Sequence, residues 1–185
     1  MQNGALFVIS GPSGAGKGTI VKKLTDRDPQ MWVSVSATSR KPRKGEVEGT
    51  SYFFVTRQEF QKLIDEDGLL EWACVHDEYY GTPKAQVAKH LEAGTNVILE
   101  IDPQGALQVK KIMPEAVLIF ITVPSLAELR RRLEGRGTED EAQIAKRCKN
   151  AETEIHLAGQ YDFVVLNEDV EMATEQVAAI IKRVM

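Results

Sequence analysis

Four short apolar runs stand out along the chain: "ALFVIS" at 5–10, "NVILEI" at 96–101, "VLIFITV" at 117–123 and "DFVVL" at 162–166. None alternates apolar with polar residues as a strand with one wet face would. Each therefore predicts a central strand of a parallel sheet, buried on both sides. Between and after them, apolar residues recur at helical spacing over 17–27, 83–94, 103–113, 125–135, 139–158 and 171–184, with Gly94 and Pro114 among the stop signals. Strand followed by helix, repeated, predicts an α/β doubly wound sheet with helices on both faces.

Residues 36–82 break that rhythm. A basic, Gly-containing loop leads into the alternating "SYFFV", the helix-like "TRQEFQKLID" and the strand-like "LLEWACV", which predicts a small α+β lobe inserted into the larger domain. The 185 residues, 43% of them hydrophobic, suffice for one compact domain with such an insert. No internal repeat or low-complexity tract interrupts them.

Charge narrows the partners. With 23 Lys and Arg against 27 Asp and Glu the formal net charge is −4, which argues against a general nucleic-acid or membrane surface. An anionic ligand must be met by locally gathered Lys and Arg. The two cysteines, Cys74 and Cys148, lie far apart without Cys-x-x-Cys spacing, and the three histidines are scattered, so neither a disulfide frame nor a zinc site is expected. The N-terminal "MQNGALFVIS" has no basic n-region, and no segment reaches the roughly 18 apolar residues of a membrane span. The expectation is a soluble cytoplasmic protein with no membrane, nucleic-acid or obligate protein partner.

The first strand runs straight into chemistry. Gly11-Pro12-Ser13-Gly14-Ala15-Gly16-Lys17 satisfies G-x-x-x-x-G-K between a strand and a helix, the arrangement whose backbone N–H groups wrap phosphates while the lysine reaches the terminal ones. Helix dipole and unpaired first-turn amides favour an anion at the same point. The usual motif follows its lysine with Ser or Thr to hold Mg²⁺; here Gly18 intervenes and the hydroxyl comes at Thr19. A second acidic element, Glu100 and Asp102 at the end of a buried strand, sits where open α/β sheets place ligands and where Mg²⁺ or its waters find carboxylates. Thr19, Glu100 and Asp102 are thus the candidate metal contacts, direct or through water. Asp102-Pro-Gln-Gly105 also reads as D-x-x-G, a pattern found in GTPases, but no N-K-x-D guanine-reading segment accompanies it, so the match is taken as accidental.

After the glycine loop come "SATSRKPRKGEVEGTSYFFV", "LLEWACVHDEYYGTP", "LEIDPQG" and "RRLEGRGTEDEAQIAKR". In that order, over nearly the whole chain, they resemble the guanylate kinase family. The resemblance implies transfer of the γ-phosphoryl group of ATP to GMP, and to dGMP, giving ADP and GDP with Mg²⁺ as cofactor. The expected architecture is a mainly parallel five-stranded P-loop core (1–35, 83–124 and 159–185), a GMP-binding lobe (36–82) and a helical lid region (125–158).

Carried over position by position, the resemblance places ATP on Gly11, Pro12, Ser13, Gly14, Ala15, Gly16, Lys17, Gly18 and Thr19. The GMP phosphate falls to Ser36, Arg40, Arg43, Tyr52 and Tyr80, where guanidinium forks match phosphate oxygens. Guanine falls to Glu71 and Thr82, with Asp102 near the base. A carboxylate accepts from N1–H and N2–H₂ together, and adenine lacks both donors. Arg132, Arg136 and Arg147 match the lid arginines, which join Lys17 and Arg40 in neutralising the migrating charge without a general base. Asn167 stands where similar enzymes line the adenine pocket, and where Asn or Asp equally suits a helix N-cap. His76, His90 and His156 receive no chemistry, and Trp32 and Trp72 are expected in the core. A non-catalytic module of the same fold would predict a degraded glycine loop, whereas Lys17 is present; an AMP or pyrimidine acceptor is opposed by Glu71 with Thr82.

Overall fold

The computed structural model describes residues 4–75, 77–135 and 140–185. The first apolar run becomes β1 (Leu6–Ser10), buried along its whole length. Its residues alternate between two cores. Phe7 and Ile9 face Ile20, Leu24, Val177 and Ile181, which come from α1 (Lys17–Arg27) and α7 (Val170–Val184). Leu6 and Val8 face Val87, Leu91, Ala106 and Val109, from α3 (Lys84–Glu92) and α4 (Pro103–Ile112). A strand that buries both sets of side chains needs helices on both faces, which is why its sequence is continuously apolar.

Beside β1 lie β7 (Val97–Glu100) and β8 (Val117–Thr122), and β9 (Phe163–Leu166) follows β8, every pairing parallel. The fifth strand is β2 (Trp32–Val33), parallel to β7 at the edge, giving the order β2-β7-β1-β8-β9. Two residues carry no periodicity, so β2 left no trace in the hydrophobic pattern. The strands' C-terminal ends share one rim: Glu100 ends β7 there, and the glycine loop, Asp102 and Asn167 follow from it.

The inserted lobe holds a second sheet of four strands in the order β4-β3-β6-β5, formed by β3 (Ala37–Thr38), β4 (Phe53–Phe54), β5 (Leu69–Val75) and β6 (Glu78–Pro83). It is mixed: β3 runs parallel to β4 and antiparallel to β6, while β5 and β6 form an antiparallel pair. α2 (Arg57–Asp65) opens on a Thr56–Glu59 capping box and buries Phe60 in a stack on Tyr79, ring centroids 5.2 Å apart. No sequence pattern marks β3 or β6: one is two residues long and the other, "EYYGTP", has the Gly and Pro of a turn.

α5 (Leu126–Gly135) and α6 (Glu141–Ile155) lie over the other side of the rim. The helix expected over 139–158 stops at Ile155 and tightens into a 3₁₀ turn, His156–Gln160. Trp72, expected in the core, is 40% exposed on β5, whereas Trp32 is partly buried and stacks on His90 at 3.9 Å. No helix among the described residues is long and apolar enough to cross a membrane.

Candidate active site

The glycine loop needs conformations that side chains resist. Gly11 and Gly16 have φ of 142° and 92°, and a Cβ on Gly16 would lie 2.4 Å from Asn167 Nδ2. That approach is used: Asn167, 3% exposed, donates through Nδ2 to Ala15 O at 2.7 Å. The loop is thus tied to the end of β9. Asn167 does not cap α7; Asp169 does, accepting from Met172 N. Lys17 Nζ folds back over the loop to Gly11 O (2.6 Å) and Pro12 O (3.0 Å).

Two of the three arginines expected in a lid reach the loop or the Asn167 that ties it down. Arg132 on α5 donates to Asn167 O at 2.8 Å and to Glu128 Oε1 at 2.7 Å. Arg147 on α6 donates to Ser13 Oγ. Arg136 lies outside the described residues. The Glu128 carboxyl is held at about 2 by its bonds from Arg131 and Arg132, so it stays charged and keeps Arg132 aimed inward. A cleft of about 360 Å³ bounded by Gly14, Gly16, Thr19, Arg132 and Asn167 opens beside the loop. From α6, Glu154 feels Lys17: burial raises its pKa, Lys17 opposes that rise and Asp102 adds to it.

A second cleft, of about 290 Å³, separates the small lobe from the β7 end, and Ser36, Tyr52, Glu71, Tyr80, Glu100 and Asp102 line it. Five of the positions expected to meet the acceptor nucleotide, Ser36, Tyr52, Glu71, Tyr80 and Asp102, thus border one cleft. Arg40 stands at its edge, Nε donating to Tyr80 Oη at 3.2 Å and the guanidinium 5.3 Å above the Tyr52 ring. Its fork is taken by Glu46, with two bonds of 2.9 Å. Glu46 also accepts from Arg43 N at 2.7 Å, and Arg40 with that amide holds its carboxyl at about 2. The Arg43 side chain stands exposed on the loop and is not among the residues lining the cleft. Glu46 carries no assignment from sequence, although a carboxylate just beyond Lys41, Arg43 and Lys44 is a visible signal.

Deepest in the cleft is Glu71, 7% exposed. Its Oε1 accepts from Thr82 Oγ1 at 2.7 Å across the β5–β6 pair. Burial pushes the carboxyl up to about 7, with the charge of Asp102 adding to the rise and the Thr82 hydroxyl opposing it. Asp102 itself caps α4, its Oδ1 accepting from Gly105 N at 2.8 Å.

The candidate metal contacts are sparse. Thr19, Glu100 and Asp102 are all exposed at the rim, and the Glu100 carboxylate lies near Gly18, since a Cβ there would be 3.3 Å from Oε1. Among the described residues no three His, Cys, Asp or Glu side chains form a metal-binding group. That donor set suits Mg²⁺, which keeps waters and takes phosphate oxygens with one or two carboxylates.

The guanylate kinase family model matches residues 3–184. A guanylate kinase of Caldanaerobacter subterraneus subsp. tengcongensis is 54% identical over 97% of this chain and 87% of its own. One of Clostridioides difficile is 49% identical over 98% and 88%. The crystal structure of guanylate kinase from Anaplasma phagocytophilum, 36% identical, superposes with a TM-score of 0.78 and covers 98% of this chain and 86% of that one. A glycine loop facing a lobe with a buried carboxylate and a full-length match agree: the chain belongs to the guanylate kinase family.

Proposed function

We propose that this guanylate kinase, which phosphorylates GMP to GDP with ATP as donor, binds ATP across the loop 11–19 and GMP in the cleft between the two sheets. The observation that carries the residue assignment is the Glu71–Thr82 pair, a carboxylate 7% exposed and bonded to a hydroxyl at 2.7 Å in a cleft facing the glycine loop. Ionised, Glu71 accepts from guanine N1–H and N2–H₂, and Thr82 supplies a hydroxyl beside it. AMP leaves the carboxylate buried without those donors, a loss of roughly 1.5–3 kcal/mol per charged hydrogen bond.

The acceptor phosphate is met by Ser36, Tyr52, Tyr80 and Arg40, with Arg43 from the exposed loop. For Arg40 this requires exchange of the Glu46 carboxylate for phosphate oxygens, a swap between two ligands that fit the same fork. Lys17, Arg132 and Arg147 bear on the other nucleotide's phosphates, with Arg136 proposed from sequence. The γ-phosphoryl passes in line from the ADP leaving oxygen to a GMP phosphate oxygen that is already anionic, so no protein base removes a proton.

Thr19, Glu100 and Asp102 would hold Mg²⁺, directly or through its waters; when bound, the ion neutralises charge on the phosphate oxygens. Asp102 has one oxygen engaged with Gly105 N, which directs the other outward. None of the assigned groups reads the sugar, so dGMP is an acceptor too. A reducing cytoplasmic setting is part of the same reading, supported by two free cysteines. ADP formation from ATP with GMP, dGMP, AMP, UMP and CMP tests the assignment: GMP and dGMP react, and AMP falls behind by two orders of magnitude or about that. Comparable turnover with AMP would remove Glu71 from its proposed role.

A further inference from the structure

Guanine selectivity, as read above, rests on Glu71, and the inference here rests on that reading. What sets the carboxylate in place is the face of α4 turned to β5. Asp102 caps the helix through Gly105 N at 2.8 Å. One turn on, Gly105 is buried, and a Cβ built on it would lie 2.8 Å from Glu71 Oε2, 3.3 Å from Cδ and 3.4 Å from Cγ. One turn further, the Gln108 amide brackets the next residue of the strand, accepting from Trp72 N and donating to Trp72 O, both at 3.2 Å. Leu70, the residue before Glu71, is buried with Ala106 and Val109 of the same helix. Both chain neighbours of Glu71 are therefore fastened to α4, and its side chain lies against the helix where a Cβ is missing.

Helical backbone gives no reason for a glycine here, since alanine is the better helix former and Gly105 has no left-handed φ. We propose that Gly105 is a positioning residue for guanine recognition: its bare Cα is the seat against which the Glu71 carboxylate is set, and a methyl group there would displace the carboxylate rather than the helix. The atom met at 2.8 Å is the far end of a side chain, not backbone. To reach ordinary contact it must retreat by about 0.6 Å, enough to misalign the Thr82 bond and both acceptors for guanine. The D-x-x-G stretch, taken as an accident from sequence, thus acquires a local reason: Asp102 starts the helix and Gly105 seats the base reader.

The test is steady-state kinetics of G105A, E71A and the double variant, with thermal melting of each. G105A is expected to raise KM for GMP about tenfold, with KM for ATP within about twofold of the parent and melting close to the parent's, the helix gain offsetting the strained Thr82 bond. In the E71A background, G105A should add nothing further. If E71A alone leaves KM for GMP unchanged, the reading of Glu71 fails and this proposal with it. If E71A weakens GMP but G105A does not, or the two effects simply add, only the role of Gly105 is overturned. Should G105A prove insoluble, recovery of a folded double variant supports the clash with Glu71, and failure of both to fold overturns it.

Discussion

With Glu71 as the proposed base reader, GMP binding should depend on pH in a direction that its burial fixes. The free carboxyl titrates at about 7, far above the ordinary 4.5, chiefly because burial penalises its charged form. Guanine offers two donors to this site, so only the ionised form binds both. Below about pH 7 the protein must release a proton to accept the base, and apparent affinity falls about tenfold for each unit of acidification, or about 1.4 kcal/mol. Between about pH 8 and about pH 6 the dissociation constant for GMP should rise by an order of magnitude. The phosphate of GMP titrates near 6 as well, so Glu71→Gln is the control: it keeps the ligand's titration and loses the protein's.

Calorimetry at about pH 6, in two buffers of different ionisation enthalpy, counts the protons directly. The parent should release close to one proton more than the Gln variant on binding GMP, and the two should converge at about pH 8. Equal proton counts in both proteins at about pH 6 would refute the reasoning. The same shift has a stability consequence. Because the folded pKa lies above the unfolded one, the native state binds more protons between about 4.5 and about 7, and ligand-free stability falls as pH rises through that window. The upper bound is about 3.4 kcal/mol at alkaline pH, and the Gln variant should lose that part of the slope.

Lys17→Met should lower kcat by about a hundredfold or more with melting little changed, because Lys17 is only partly buried and bonds to its own loop; an unchanged kcat would defeat the phosphate assignment. Asn167→Ala leaves the Ala15 carbonyl without its buried donor, a loss of about 1–3 kcal/mol. Melting should fall, KM for ATP should rise several-fold and KM for GMP should move less; a rise confined to GMP would contradict the place of Asn167 beside the loop.

Much of this fold was legible from period and punctuation. Phe7 with Ile9 and Leu6 with Val8 serve opposite cores, and a strand required to do both cannot hide its apolar run. The glycine loop was legible because a phosphate cradle removes side chains in a fixed order. The shortest strands outside those runs were not: β2 and β3 have two residues each, and their existence depends on neighbours that sequence brings near only after folding. Trp72 misled for a related reason. Its size argued for burial, yet the residues on either side of it, Glu71 and Ala73, line the cleft, and strand alternation turns Trp72 to the other face.

What sequence could name at the site were groups whose chemistry is their own, such as Lys17, Arg40 and Glu71. It could not name the groups that act by holding these. Glu46 occupies the fork of Arg40, Glu128 keeps Arg132 turned inward, and Gln108 fastens the strand next to Glu71; each is an unremarkable residue type whose role is set by a partner elsewhere in the fold. The distinction has a physical basis. A charged group announces its reactivity by type, whereas alignment to within a few tenths of an ångström is a property of packing. In the role proposed for Glu71, selectivity depends on the second as much as the first: a carboxylate can discriminate guanine from adenine only while it is desolvated, and it remains desolvated only while α4, β5 and β6 close around it.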